Sequence, residues 1–361
     1  MNCLILMTGG RSGSDFFQSL CDSHPEILQF PGVVNLTEDF FLENNPKNIL
    51  NIFYNTNKYF FDSRLNVKEN LDKLGKFKNE YFKVSVEKFY LNFIKIYKKT
   101  NKSNIEKIIA LHKAYALSYG EDIKKKKIVL IHLHIIKYLR LFNKFINVKD
   151  IKIVITYRDP LVSLKSTVNH WSQYHKGKFL TASSLFWNIN LHVNIFNQIK
   201  IFSNNLYVIK LEDLHLHSKA VLKKFCKIVK IKFNKSLLQS TYLNKKWWGD
   251  AISTKELNGL NKKFKNFFSK NIYFSKDIFF LEKKLKKILP YFGYNFREKK
   301  KIFDFCMILL PLKCELIVWM NLIKLLQLKE IVKIPFFYLR RILLFTKKDY
   351  VEKEILPTII R

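Results

Sequence analysis

A glycine-rich segment near the N-terminus has the residue types and spacing of an anion-binding turn. It follows an apolar run at residues 4–7, leads into a helical pattern, and reads Thr8-Gly9-Gly10-Arg11-Ser12-Gly13-Ser14-Asp15. A turn of this kind presents backbone N–H groups and the positive end of a helix dipole to an anion. It is not a Walker A loop, because the lysine of Gly-x-x-x-x-Gly-Lys-Ser/Thr is missing. Taken alone, the segment is equally compatible with an ordinary strand-to-helix turn.

A second segment places a serine eight residues after an arginine. An apolar run at 151–156 leads to Arg158, Asp159 and Pro160 follow as a helix start, and Ser166 lies in the second turn. Ligands bind at the carboxyl ends of strands in open α/β sheets, so Arg158 and Ser166 could contact one phosphate group. In isolation, an arginine paired with a carboxylate at a helix start is common enough to be the preferred explanation of this motif.

Two histidines, His132 and His134, follow the apolar run at 128–131. Residues two apart on a strand point to the same face, so both imidazoles can reach one site. A neutral imidazole, with a reference pKa of about 6.5, suits proton abstraction near neutral pH. At least one of the pair is equally well explained as a buried structural histidine. His112, on the preceding helical pattern, is a further candidate base.

The elements that would position these residues are apolar runs that alternate with helical patterns. Four runs have the continuous apolar character of buried parallel strands, and they lie at 4–7, 128–131, 151–156 and 206–210. Strands alternating with helices predict an α/β fold with a mainly parallel sheet. Residues 35–115 contain no clear strand and are predicted to form a helical insertion, in which Ser103 and Glu106 suit a capping box.

The composition narrows the class of protein. The chain has 361 residues, 48% of them hydrophobic, which is enough for a large core and excludes wholesale disorder. Its formal net charge of +35 favours anionic partners without specifying their kind. The five cysteines show no zinc-type spacing, so we expect no structural metal and a reducing, cytoplasmic location. The run at 4–7 is too short for a signal peptide.

The tail beyond about residue 300 is apolar, aromatic and basic, and we expect it to be helical. Charged residues interrupt its most apolar part, so we expect no membrane span; these residues are Asp304, Lys313, Glu315 and Lys324. We predict one of two arrangements for residues 301–361. The segment either lies against the inner face of the membrane through apolar and basic side chains, or packs as a helix pair on the rest of the chain.

Together, these segments resemble the PAPS-dependent sulfotransferase superfamily, and its bacterial, carbohydrate-modifying branch in particular. The residues that the resemblance assigns to the cofactor are Gly10, Arg11, Ser12, Gly13, Ser14, Asp15, Arg158, Ser166, Trp248 and Gly249. The first six resemble the loop that grips the 5′-phosphosulfate, and the next two have the spacing of the 3′-phosphate clamp. The last two fall where a late loop closes over nucleotide and acceptor. The resemblance covers about residues 3–295 and includes 210–214, similar to the Tyr-Glu-Asp-Leu segment of the family.

This resemblance implies a P-loop-like three-layer core, in which helices wrap a central parallel sheet, with a helical C-terminal extension. We expect a sulfotransferase domain over residues 1–300, with the insertion 35–115 on the acceptor side, and an apolar, basic extension over 301–361. The implied activity moves a sulfuryl group from PAPS to a hydroxyl or amine and releases PAP. A carbohydrate acceptor is implied first, with a lipid-linked sugar or a small molecule as alternatives, and no metal is expected.

The chain departs from the family pattern at two places. Asp15 stands where a hydroxyl residue is usual, and its charge would repel the phosphosulfate unless the helix dipole and Arg11 compensate. Many carbohydrate-modifying members carry a catalytic Glu about a dozen residues past the loop. This chain has Gln-Phe-Pro-Gly at 29–32 instead, and the nearest acids are Glu38 and Asp39.

We therefore predict that His134 is the general base, because it resembles the base histidine of the small-molecule branch of the family. His132 would orient His134 or the acceptor. Arg11 would stabilise the charge that builds on the departing phosphate. Glu38 and His112 are the alternative bases.

Two other functions remain as alternatives at this stage. A nucleic-acid-binding protein would account for the charge of +35 and for the interleaved aromatic residues. It would not account for the glycine-rich turn or for the spacing of Arg158 and Ser166, so we expect no nucleic-acid partner. A P-loop-type kinase would have the same core architecture, but the missing Walker lysine counts against it.

Overall fold

Strands and helices alternate over most of the chain. The computed structural model describes residues 1–134, 136–173, 180–199, 205–251, 259–261, 272–286, 288–295, 305–347 and 358–360. The elements up to β4 are β1 (Asn2–Thr8), α1 (Ser14–Cys21), β2 (Ile27–Gln29), α2 (Glu38–Leu42), α3 (Pro46–Thr56), α4 (Val86–Tyr97), α5 (Asn104–Ser118), β3 (Ile128–His134), α6 (Ile136–Phe145) and β4 (Lys152–Tyr157). The later elements are α7 (Pro160–Gln173), α8 (Ser184–Ile199), β5 (Leu206–Lys210), α9 (Leu211–Leu216), α10 (Ser218–Val229), β6 (Thr241–Tyr242), β7 (Lys245–Lys246), α11 (Ser275–Lys284), α12 (Ile288–Tyr291), α13 (Lys313–Lys324), α14 (Leu328–Ile331), α15 (Ile334–Thr346) and β8 (Thr358–Ile360).

A parallel sheet of six strands forms the centre of the fold, in the order β2-β3-β1-β4-β5-β8. The four predicted apolar runs are its strands β1, β3, β4 and β5, which confirms the predicted α/β class. After β1 the chain continues to β2, at the edge of the sheet beyond β3. After β4 it continues to β5, in the opposite direction along the strand order. The crevice at the carboxyl ends of β1 and β4 is therefore a topological switch point, where open α/β sheets bind their ligands.

Two short strands complete the sheet and were not predicted. β2 pairs with β3, with Ile27 opposite Ile128, and β8 pairs with β5, with Ile359 opposite Val208. Each has three residues, which is too few to show a periodic pattern in the sequence. The predicted helical character of the tail is confirmed by α13, α14 and α15, and beyond these helices β8 returns to the edge of the central sheet.

Residues 35–115, the predicted insertion, contain α2, α3, α4 and most of α5. The connection between α3 and α4 holds 3-10 turns, one of which is Val67–Glu69, and two isolated bridges. Ser103 caps α5, because its hydroxyl accepts a hydrogen bond from the Glu106 N–H at 3.4 Å. Aromatic side chains fill the space between the helices, with Phe60, Phe89 and Tyr115 fully buried.

The C-terminal helices pack on the rest of the fold through one face. α13 lies against α7 and α15 lies against α8, around a cluster of buried residues that includes Val318 and Leu322. A buried ion pair joins α13 and α15, since the Arg341 guanidinium donates to the Glu315 carboxylate at 3.1 Å.

Among the described residues, Cys306–Lys324 is long and apolar enough by length and composition to cross a membrane, contrary to the expectation from its charges.

Candidate active site

The glycine-rich loop lies at the carboxyl end of β1 and packs directly on β4. Its backbone approaches so closely that a Cβ at Gly9 would lie 2.3 Å from the Tyr157 ring. Gly13, at the N-cap of α1, has φ 77°, a left-handed conformation that other residues adopt only with strain. The two glycines explain why the sequence folds into a tight turn here, which aims the amino end of α1 at the crevice.

Two serines hold this loop in place. The Ser12 hydroxyl accepts a hydrogen bond from the Gly9 N–H at 3.0 Å and donates to the Thr156 carbonyl at 2.7 Å. The Ser163 hydroxyl, on α7, donates to the Gly10 carbonyl at 2.8 Å. All of these contacts are buried, so the shape of the loop is set by β4 and α7. The loop is preorganised for an anion rather than dependent on one for its shape.

Arg11 provides the positive charge at the tip of the loop. Its Nη1 lies 3.4 Å from the Asp250 carboxylate, and about a quarter of the side chain is exposed. Within the part of the chain that the structure describes, the buried Nε has no hydrogen-bond partner. The guanidinium therefore keeps donor capacity for a further anion.

His132 and His134 lie at the end of β3, next to this loop. The register shifts at the strand end, where Leu6 pairs with His132 and Met7 pairs with His134, so Leu133 is an extra residue in β3. The two imidazole rings are 5.6 Å apart, centre to centre, and His134 has a left-handed φ of 61°. A residue of this type with positive φ is uncommon, and such strain concentrates at functional sites.

The two histidines differ in their hydrogen bonds. His132 Nδ1 lies 2.8 Å from the Gln18 side-chain oxygen, so that nitrogen carries a proton and donates. In the described structure, His132 Nε2 and His134 Nδ1 are buried and have no hydrogen-bond partner. Burial lowers the pKa of both histidines, that of His132 to about 4, although the charge of Asp15 opposes the change. Both imidazoles are therefore neutral at pH 7, and His134 Nδ1 offers a candidate lone pair for a proton.

Asp15 completes a group of three side chains with these histidines. Its Oδ1 lies 3.9 Å from His132 Nδ1, and donor atoms of Asp15, His132 and His134 lie within 4.8 Å of one another. Two imidazoles and a carboxylate are a donor set that could hold a divalent cation such as Zn²⁺. The sequence predicted no metal, and these contacts alone do not require one.

Glu69, which sequence reasoning missed, is half-buried in the same cluster of charges, and its carboxylate oxygen Oε2 is buried. The Trp247 indole N–H donates to the Glu69 backbone carbonyl at 2.7 Å, and no described residue hydrogen-bonds to the buried carboxylate oxygen Oε2. Burial, together with the negative charges of Asp15 and Asp250, raises the pKa of the Glu69 carboxyl to about 8. Glu69 is therefore largely protonated at pH 7. It lies in a 3-10 turn without any motif, so no pattern in the sequence marks it.

Trp248 and Gly249 lie in a segment that docks onto the insertion. The Trp248 indole N–H donates to the Gly75 carbonyl at 2.7 Å, and the Asn70 side chain donates to the Gly249 carbonyl at 3.0 Å. These contacts bring the next residue, Asp250, to Arg11. The segment thereby connects the glycine-rich loop to the insertion, on the side of the crevice where Glu69 lies.

Arg158 and Ser166 lie on the other side of the loop. Arg158 follows β4, and the Asp159 carboxylate caps α7 by accepting from the Leu161 N–H at 3.0 Å. Burial lowers the pKa of Arg158, the charge of Glu212 opposes this change, and Arg11 lowers it further. Ser166 is half-buried on α7, one turn after Ser163, so it lies on the helix face that meets the loop.

The two alternative bases lie elsewhere. Glu38 is exposed at the start of α2 and forms an ion pair with Lys144. His112 is buried in the insertion, where its Nδ1 lies 2.9 Å from the Ile108 carbonyl and its ring contacts Phe30. Burial lowers the pKa of His112 to about 4. The contacts of these two residues include none of the loop residues.

Comparisons with known proteins find similar solved structures, among them two sulfotransferase domains. No protein-family model matches the sequence, and no curated protein matches it. The sulfotransferase domain from the Synechococcus PCC 7002 olefin synthase has 13% identity and a TM-score of 0.40, over 66% of this chain and 77% of that domain. The sulfotransferase domain from the curacin biosynthetic pathway has 15% identity and a TM-score of 0.37, over 82% of this chain and 94% of that domain.

Proposed function

We propose that the protein is a PAPS-dependent sulfotransferase that transfers a sulfuryl group to a hydroxyl or amine of a carbohydrate, a lipid-linked sugar or a small molecule. The observation that best supports this proposal is a convergence at the switch point of the sheet. The glycine-rich loop follows β1, Arg158 follows β4, and His134 is the last residue of β3. These three strands are adjacent in the sheet. Groups that can bind an anion thereby lie beside a neutral imidazole.

The positive groups of the pocket suit a ligand with phosphate groups at two places. Arg11 and the N–H groups at the start of α1 are placed for one group, and Arg158 with Ser166 for another. Burial disfavours the charge of Arg158 in the free protein, and the charge of Glu212 opposes this effect. A bound polyanion would add favourable contacts to both Arg11 and Arg158, so the pair favours a nucleotide with several negative charges over a neutral ligand.

The chemistry assigns separate roles to His134 and Arg11. When bound, the donor supplies a sulfuryl group held through a phosphosulfate S–O bond, which breaks as the acceptor O–S bond forms. His134 accepts the proton of the acceptor at its unpartnered Nδ1. Arg11 stabilises the phosphate oxygen that keeps the electron pair of the broken bond.

The pKa of Glu69 is raised and that of His134 is lowered, so the two side chains have different roles in proton transfer. Burial holds His134 neutral and able to accept a proton, whereas Glu69 keeps its proton at pH 7. A protonated Glu69 has an O–H that can donate to a bound ligand, and its protonation removes one negative charge from a site that also contains Asp15 and Asp250. Because Glu69 belongs to the insertion, we infer that the acceptor approaches from that side.

The experiment that tests this function measures binding of adenosine 3′,5′-bisphosphate by thermal shift and calorimetry. Adenosine 5′-phosphate, Mg–ATP and an oligonucleotide are the comparison ligands. We expect the bisphosphate to bind most tightly, and Arg158→Ala to weaken its binding by roughly 2–4 kcal/mol, as for loss of a charge-assisted contact. Arg140→Ala, which removes an exposed arginine of α6, is the matched control and should bind normally.

Equal affinity of the wild type for nucleotides with and without the 3′-phosphate would refute the assignment of Arg158. Tighter binding of Mg–ATP or of the oligonucleotide would refute the sulfotransferase proposal in favour of a kinase or a nucleic-acid-binding protein. Turnover is then measured with PAPS against a panel of hydroxyl and amine acceptors, with released adenosine 3′,5′-bisphosphate as the readout.

A further inference from the structure

A set of large apolar side chains is exposed on the C-terminal helices. We call this set the outer face, and its members are Met320, Ile323, Leu325, Leu326, Leu328, Val332, Phe336, Leu339 and Leu343. Each is between 39% and 79% exposed, although the same helices bury other apolar residues well. Single exposed apolar residues are ordinary, but a large contiguous group marks an interaction surface.

The spacing of these residues shows that they form a stripe rather than a scatter. Phe336, Leu339 and Leu343 are three and four residues apart on α15, which places them on one face of the helix. Val332 precedes Phe336 by four residues, and Leu328 precedes Val332 by four. The exposed stripe therefore continues from α14 into α15.

The opposite side of these helices is already packed against the rest of the protein. Cys314, Val318 and Leu322 of α13 are buried against the core. The Glu315–Arg341 pair is also buried, and Arg341 donates in addition to the Leu310 carbonyl at 3.1 Å. Since these contacts hold the helices with the outer face outward, a partner outside the described structure is needed to cover that face.

The charges beside the outer face are predominantly positive. Residues 305–347 contain seven Lys or Arg and two Asp or Glu. Both acids have cationic partners, Glu315 in the buried pair and Glu330 with Lys333 at 2.6 Å. The exposed basic side chains next to the stripe are Lys324, Lys329, Lys333 and Arg340. A partner with negative charges beside an apolar layer is the best complement to this surface.

An exposed tryptophan extends the surface onto α8. Trp187 is half exposed, and the Arg340 guanidinium lies 5.7 Å from its ring and 5.3 Å from that of Phe336. Tryptophan and arginine together suit the boundary between lipid headgroups and acyl chains, where an aromatic ring and a charge are both stable.

Although Cys306–Lys324 has the length and composition of a membrane span, each of its helical segments taken singly is too short to cross a bilayer. α13 has 12 residues, which corresponds to about 18 Å, whereas the hydrocarbon core of a bilayer is about 30 Å thick. Pro311 separates α13 from the 3-10 turn Phe305–Leu309, so Cys306–Lys324 is not one continuous helix. We propose that the outer face docks on the surface of an anionic lipid bilayer, with its apolar stripe in the headgroup boundary and its basic side chains on lipid phosphates.

Vesicle flotation with the full-length protein tests this proposal. We expect the wild type to float with vesicles of phosphatidylcholine containing one quarter phosphatidylglycerol, and to float less with phosphatidylcholine alone. The double variant Phe336→Ser/Leu343→Ser should lose roughly tenfold or more in vesicle affinity, because it removes apolar area from the contact. The matched control is Phe77→Ser/Leu91→Ser, two residues of similar exposure in the insertion, which should float like the wild type.

A charge series separates electrostatic from apolar docking. Lys324→Gln/Lys329→Gln should bind the anionic vesicles roughly 30-fold more weakly, at about a fivefold loss for each cation removed. Lys98→Gln/Lys99→Gln, exposed on the far end of α4, should have little effect. Circular dichroism melts of all variants show whether each one is folded.

Three results would overturn the proposal. The wild type could fail to float with anionic vesicles, or the control pairs could lose as much affinity as the outer-face pairs. The third result is a dimer or a complex with another protein that Phe336→Ser/Leu343→Ser abolishes while vesicles bind neither form. In that case the outer face is a protein interface.

Discussion

Replacement of Glu69 by glutamine tests the electrostatics of the candidate site without any ligand. The Glu69 carboxyl is buried beside Asp15 and Asp250, and its pKa is raised from 4.5 to about 8. Glutamine has nearly the same shape and no charge. The variant therefore removes the ionisation of this one group and leaves the packing of the Val67–Glu69 turn intact.

The pH dependence follows from the direction of this pKa change. The unfolded chain releases the proton above pH 4.5, whereas the folded protein keeps it up to about pH 8. The unfolded state therefore binds fewer protons in this interval, and the stability of the wild type falls as pH rises. At about 1.36 kcal/mol for each pH unit, the loss between pH 5 and pH 8 is about 3 to 4 kcal/mol. Glu69→Gln has no such loss.

The assay is urea unfolding of both proteins at pH 5, 6, 7 and 8. We expect the free energies of unfolding to be similar at pH 5, and the variant to become progressively more stable as pH rises. Glu43→Gln is the control, because hydrogen bonds from the Asn45 N–H and neighbouring donors lower the pKa of Glu43, the direction opposite to that of Glu69. That variant should gain no stability at pH 8. A difference between wild type and Glu69→Gln that stays constant from pH 5 to pH 8 would refute the reasoning.

Three further predictions concern the base, the ion pair of the loop and the C-terminal helices. His134→Ala should lower turnover by about 10²–10⁴-fold yet bind adenosine 3′,5′-bisphosphate normally in calorimetry, since a general base acts only on the acceptor. Unchanged turnover of this variant would exclude His134 as the base. Asp250→Asn should bind the bisphosphate about fivefold more tightly, because it removes a carboxylate that competes for Arg11; weaker binding would contradict this role. Glu315→Leu should lower the free energy of unfolding by about 3–5 kcal/mol, because it leaves the buried Arg341 guanidinium without its carboxylate. The same urea assay measures it, and a loss below 1 kcal/mol would argue against a tight pair.

Local patterns in the sequence were sufficient to identify the framework of the site. Continuous apolar runs determined β1, β3, β4 and β5, because a strand buried on both faces leaves this mark in any sequence. Gly9 and Gly13 identified the turn after β1, since only glycine fits a close approach and a positive φ. The helix start at Asp159-Pro160 could also be recognised from the sequence, because capping depends on neighbouring residues alone.

Only the tertiary structure decided which side chains meet in the crevice. Glu69 and Asp250 reach Arg11 from distant parts of the chain, and their contacts depend on how the insertion docks against the late segment. The left-handed backbone of His134 results from a register shift against β1, which no pattern within β3 encodes. The strand β8 exists because the edge of β5 supplies its hydrogen-bond partners. Contacts of this kind combine groups far apart in sequence, and burial then shifts their pKa values, so they have no signature in local composition or spacing.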